Sequence, residues 1–185
     1  MILSMARNVA ELLLLFLAAR QDYIDRKIPN ILILTGVVSG MIIGLIGDGA
    51  AFLQNGTLQL SKILSVAEGN FVGFAIGYLF WKMHVFKAGD AKLIWMIGAL
   101  EGFSGFWMSL AAAIIAGGIL SFFMMCKYGV LKERMLRVIY HIQYLVMTRS
   151  FEAYRPVEKD TLRMPFAVSA FVGIAFWKMK VLLGR

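Results

Sequence analysis

The chain has 185 residues, of which 60% are apolar and 16% charged, with a formal net charge of +8. Soluble domains carry about 45–50% apolar and about 25% charged residues, because their exterior must stay wet. A mean hydropathy of +0.76 therefore excludes an ordinary soluble enzyme and marks an integral membrane protein of one domain, residues 1–185. The basic excess reads as a topology signal rather than a nucleic-acid footprint, so no nucleic-acid partner is expected. The single cysteine, Cys126, makes neither an intrachain disulfide nor a cysteine-based zinc site and reads as packing.

A spanning helix takes about 20 mostly apolar residues. The first is predicted over residues 5–20, around a run of leucines that follows Glu11. Glu11, the lone earlier Arg7 and the later spans argue against a cleaved signal peptide. The second falls over residues 31–46, a mixed interfacial stretch over 51–65, and the third span over 70–81. A short fourth span is predicted over 91–100, a fifth over 106–126 and a sixth over 164–183, opened by Pro165. Gly40/Gly44 and Gly73/Gly77 have the spacing that lets membrane helices approach closely. The expected fold is an all-α, polytopic membrane helix bundle of about six transmembrane helices.

Six spans place the connections 20–30, 82–92 and 127–163 on one side, and these carry 14 of the 19 Lys and Arg. Positive charge marks the cytoplasmic side, so both termini are expected outside, with Lys178 and Lys180 snorkelling outward from the last span. In the third connection Leu136, Ile139, Tyr140, Ile142, Leu145 and Val146 recur at helical spacing beside Arg134, Arg137 and Arg149. This predicts an amphipathic cytoplasmic helix before the last span, with membrane lipid as its partner. A solvated basic connector packed on the bundle accounts for the same pattern.

Carboxylates near hydrocarbon are costly unless paired or functional, and the chain holds only 11. Asp22 closes the first span and Asp90 opens the fourth, on the same side and at similar depth. Two carboxyls held close do not both ionise freely, so one keeps a proton while the other accepts one from water. Such a pair serves general acid–base hydrolysis of a peptide bond. Gly89 leaves room beside Asp90 for a substrate backbone. Structural roles explain the same residues: Asp90 as a helix cap, and Asp22 paired with Arg26 four residues on. Asp25 competes with Asp22.

At these two segments the chain resembles the type IV prepilin peptidase family of membrane aspartic proteases. The family's first signature is an Asp seven residues before a Pro, followed by a polar residue. Asp22, Pro29 and Asn30, within Ile28-Pro29-Asn30, reproduce it and favour Asp22 over Asp25. The second is Gly-x-Gly-Asp with a following Lys-Leu. Gly89, Asp90, Lys92 and Leu93 match, and Lys87 stands where the first Gly is usual. Met164-Pro165-Phe166-Ala167 resembles the opening of the family's last span.

The resemblance implies a membrane aspartic endopeptidase that removes the short basic leader of a prepilin or pseudopilin precursor. The cleavage is expected at the cytoplasmic face of the inner membrane. Asp22 and Asp90 are then catalytic, while Gly89, Lys92, Pro29, Asn30 and Lys87 shape the loops or meet substrate. No metal and no other cofactor is expected. Larger family members carry an N-terminal region with paired cysteines that binds zinc and serves N-methylation. This chain resembles the peptidase-only form. The competing class is a non-enzymatic transport or assembly subunit with a proton-linked acid pair. His84 is a candidate for a proton network, and Asn55-Gly56-Thr57 fits a glycosylation sequon.

Overall fold

The computed structural model describes residues 2–55, 60–148 and 165–183, and all the regular structure among them is helical. The order is α1 (Ile2–Asp25), α2 (Asn30–Asn55), α3 (Ser61–Lys82), α4 (Ala88–Lys127), α5 (Leu131–Thr148) and α6 (Phe166–Leu183). Four of these, α2, α3, α4 and α6, are long and apolar enough to cross a membrane. The outward faces are apolar too: Leu13, Phe71, Phe123 and Phe176 are all more than half exposed. This inverts the soluble pattern, and lipid is the solvent that such a surface fits. The protein is a multi-pass helical membrane bundle.

α4 is the element that the sequence divides differently. Its 40 residues would run about 60 Å as a straight rod, roughly twice the hydrocarbon core. Instead the backbone breaks at Gly102, with φ 68° and ψ 178°, a region essentially reserved for glycine. The chain reverses there, because Asp90 and Gly118, about 42 Å apart on a straight helix, line one cavity. The predicted fourth and fifth spans are thus the two arms of α4, residues 88–101 and 103–127.

The first arm is the axis of the bundle, with Leu93, Ile94, Met96, Ile97 and Leu100 fully buried. α3 runs antiparallel to it at backbone distance: a Cβ at Gly73 would lie 3.0 Å from the Ile94 carbonyl, and one at Gly77 2.5 Å from that of Ala91. α2 passes on another side, where Gly40 faces the Ala99 carbonyl. The small-residue pairs read from the sequence are therefore packing surfaces. The second arm pairs with α6, Gly173 against Ala112. α1 lies antiparallel along α6, with Phe16 and Phe171 edge to face at 5.6 Å.

Three expectations need correction. The predicted interfacial helix over 51–65 does not form: residues 51–55 end α2 and 61–65 begin α3. The corner between them is set by buried Asp48, which accepts from the amides of Lys62 (3.1 Å) and Ile63 (2.8 Å) and so caps α3 from across the turn. Lys178 does not snorkel outward. It is only 7% exposed and pairs with Glu11 and Glu101 inside the bundle, because their carboxylates offer a partner that lipid does not. α2 also extends well past the predicted 31–46. Gly56 and Thr57 of the sequon, with Arg149 and Met164, lie outside the described residues.

α5 has the amphipathic pattern expected of the long connection, with Glu133 and Arg137 paired along its polar side. None of its residues is buried, and Leu136, Ile139, Tyr140, Ile142 and Val146 are exposed.

Candidate active site

α1 stops at Asp25 for local reasons. Arg26 takes φ 54°, and Pro29 restricts the residue before it, so the helix ends and the chain turns. The Pro29 carbonyl then accepts from Leu32 (3.2 Å) and Ile33 (3.5 Å), which starts α2. This places Asp22 in the last turn of α1, 9% exposed, facing the start of α6. The Ala167 amide of α6 donates to it, while its Oδ2 is buried without a hydrogen-bond partner.

Asp90 is set by the turn between α3 and α4. Phe80 and Val85–Phe86 close that turn through backbone bonds, and His84 sits at its tip with φ 60°. Lys87 is extended at φ −75°, ψ 162°, an ordinary conformation for any residue. The lysine in place of the usual first glycine is therefore accommodated without strain. The Lys87 amide donates to Asp90 Oδ2 at 3.3 Å, so Asp90 caps its own helix as the sequence allowed. Phe86 packs on Phe80 (5.5 Å) and on Phe166 at the head of α6 (4.8 Å). That aromatic pair joins the Asp90 turn to the helix start that holds Asp22.

Both carboxyls open on one cavity of about 1120 Å³, shared by α1, the α3–α4 turn, the second arm of α4, α5 and the head of α6. They are close enough for the charge of Asp22 to act on Asp90. Arg26, Lys82, Lys87 and Arg134 line the same cavity and supply counter-charge. His84 is on its wall, with Nδ1 3.1 Å from the Lys82 carbonyl. A carbonyl acceptor places a proton on Nδ1. Ser121 and Ser169 add hydroxyls. The arrangement offers two acids on the wall of one large cavity, basic side chains around them, and an apolar side formed by Phe86, Ile114 and Phe166.

The other residues singled out in the sequence fall into two groups. Asn30 and Lys92 meet each other, with Lys92 Nζ donating to Asn30 Oδ1 at 2.8 Å. They tie the Pro29 segment to the Asp90 helix from outside the cavity. Gly89 is not on the cavity wall; a Cβ there would make ordinary contact with Ile28 at 3.8 Å, so the space it leaves faces the α1–α2 turn. Asp25 is exposed, accepts from Gln21 at 3.0 Å and stays away from the cavity. Phe86, Phe166, Ser169 and Arg134 were missed as site residues. Phe166 stands in the segment that resembles the family's last span, and Arg134 in the amphipathic stretch that reads either as a lipid-facing helix or as a basic connector packed on the bundle.

A helical membrane bundle with two carboxyls opening on one cavity at one end defines a class, a multi-pass membrane protein with a polar pocket at the end of its helices. The family model of type IV leader peptidases matches residues 10–122, which contain both aspartates, the axis helix and most of its return arm. The chain belongs to that family and is a leader peptidase-like hydrolase. No curated protein and no solved structure matches it significantly.

Proposed function

We propose that the chain is an aspartic endopeptidase that removes the basic leader of prepilin-like precursors, with Asp22 and Asp90 as the reacting pair. The observation that carries this reading is that one cavity receives both carboxyls, and neither motif alone would assemble it. One acid is ionised and takes a proton from a water held between them. The water oxygen attacks the scissile carbonyl carbon while the protonated acid donates to the carbonyl oxygen. The tetrahedral carbon then collapses: the C–N bond breaks, the amine leaves with the proton of the acid that took it from water, and the other carboxylate takes back a hydroxyl proton as the new carboxyl C=O forms. The charge of Asp22 acts on Asp90, so the state of one acid bears on that of the other.

The precursor's hydrophobic segment stays in lipid beside the bundle, and its cleavage junction enters the cavity at the end where the basic connections cluster. By the bias of 14 of 19 basic residues this is the cytoplasmic face of the inner membrane. The test is cleavage of a reporter with a basic leader and a Gly junction by detergent-purified protein. Asp22→Asn and Asp90→Asn should each lower the rate by roughly 10²–10⁴-fold or more, with both variants inserting and melting normally. A well-folded variant that still cleaves at the parent rate removes its aspartate from the mechanism.

A further inference from the structure

The bundle interior holds an ionic cluster that the cleavage chemistry does not use. Lys178 of α6 pairs with Glu11 of α1 and with Glu101, the last residue before the Gly102 break. It also donates to Asn8 Oδ1 at 2.8 Å. Glu11 is 0% exposed, Lys178 7% and Glu101 8%. Arg7, one turn before Glu11, acts on Glu101 as well, so two acids are balanced by two bases. Gly105 has no side chain where the Glu101 carboxylate lies, which lets the return arm pass the cluster.

Burying such ions is expensive, and well-packed apolar residues hold helices together as well or better. Cohesion alone therefore gives no reason for the cluster. Its placement does. Glu11 lies eleven residues before Asp22 on α1, and Glu101 eleven after Asp90 on α4. Lys178 lies eleven after Ala167, the residue whose amide holds Asp22. At about 1.5 Å per residue these are three rods of roughly 16 Å that leave one lysine and reach one cavity. A one-residue slip of α1 against α4 would move Asp22 by about 1.5 Å along the bundle and about 100° around its helix. Apolar contacts can re-form with new neighbours after such a slip, whereas a lysine shared between two carboxylates loses a buried partner outright.

We infer that Glu11, Glu101 and Lys178 form a register clamp that fixes the separation of Asp22 and Asp90. They are positioning residues, and the inference rests on the reading of those two aspartates as the reacting pair. The test uses the full chain in detergent. Glu11→Leu/Glu101→Leu/Lys178→Met is made together with Arg7→Met, because Arg7 would otherwise lose the acids that balance it. The clamp predicts a folded protein whose kcat falls roughly 10–100-fold while KM changes little. Glu101→Gln, which keeps shape and removes one attraction, should shift kcat in the same direction should the combined variant not fold. Pulsed EPR between spin labels at Asp22→Cys and Asp90→Cys, in a Cys126→Ser background, supplies the readout that loss of cohesion would not move. The mean distance should shift at a parent-like melting temperature when the triad is made apolar, whereas broadening alone is loss of cohesion and overturns the clamp. Parent-like kcat in the folded triad variants overturns the clamp, as does an unchanged mean distance. Should Asp22→Asn itself cleave normally, the catalytic reading fails, while the label distances still decide whether the triad sets the register.

Discussion

Asp22 and Asp25 lie less than one helical turn apart, yet the fold gives them unlike surroundings. Asp22 meets the head of α6 and the cavity, whereas Asp25 is exposed and bonded to Gln21. Asp25→Ala should leave cleavage unchanged and stability within about 0.5 kcal/mol, measured by the same reporter assay and a thermal melt. Loss of cleavage there would mean that the polar end of α1 contacts substrate beyond the cavity. The preference for Asp22 over Asp25 rests on the family resemblance, whose signature places an Asp seven residues before a Pro, as Asp22 and Pro29 stand. The roles of Lys87 and Gly89 were not legible. A motif records which residues stand together, but only the backbone shows that Lys87 needs no left-handed conformation and that Gly89 faces Ile28.

Among the elements, α4 carries the architecture, and its fold depends on one residue. A Cβ at Gly102 would enter a glycine-only conformation and come 2.8 Å from Ser65 Oγ. Gly102→Ala should cost about 1–3 kcal/mol from the backbone alone, seen as a lower melting temperature with weakened cleavage. Gly49, in α2 with nothing within 4 Å, is the control: Gly49→Ala should gain about 0.5–1 kcal/mol. The α2–α3 corner gives a second element-level expectation. Asp48→Ala leaves the first amides of α3 without their acceptor and should cost about 1–3 kcal/mol, measured by the same melt. Hydrophobic runs made the spans visible, since each must cover the bilayer by itself. They could not show that two of them share a reversing helix, nor that Asp48 caps α3, because both depend on contacts across the chain. The Glu11–Lys178 pair joins residues at opposite ends of the sequence, and for that reason Lys178 read as a snorkelling side chain.

For the whole molecule the open quantity is direction across the membrane, and the fold supplies its own probe. Asp22, Asp90, the second-arm residues 117–121 and the head of α6 all gather at one end of the bundle. The α2–α3 corner and the Lys178 cluster lie toward the other. Cys126, exposed and one residue before the end of α4, stands at the cavity end. The cytoplasmic placement therefore predicts that a membrane-impermeant maleimide labels Cys126 in inverted vesicles and not in intact cells. Gly49→Cys in a Cys126→Ser background, at the far corner, should give the opposite pattern. The two sites must exchange sides together, because α2 and both arms of α4 cross between them. Labelling of Cys126 from outside would reverse the orientation and bring the cavity, with its cationic wall, to the wrong face for a freshly made precursor. Labelling of both sites from one side would contradict the reversal at Gly102 itself, so a single reagent tests the direction of the bundle and the turn on which its cavity depends.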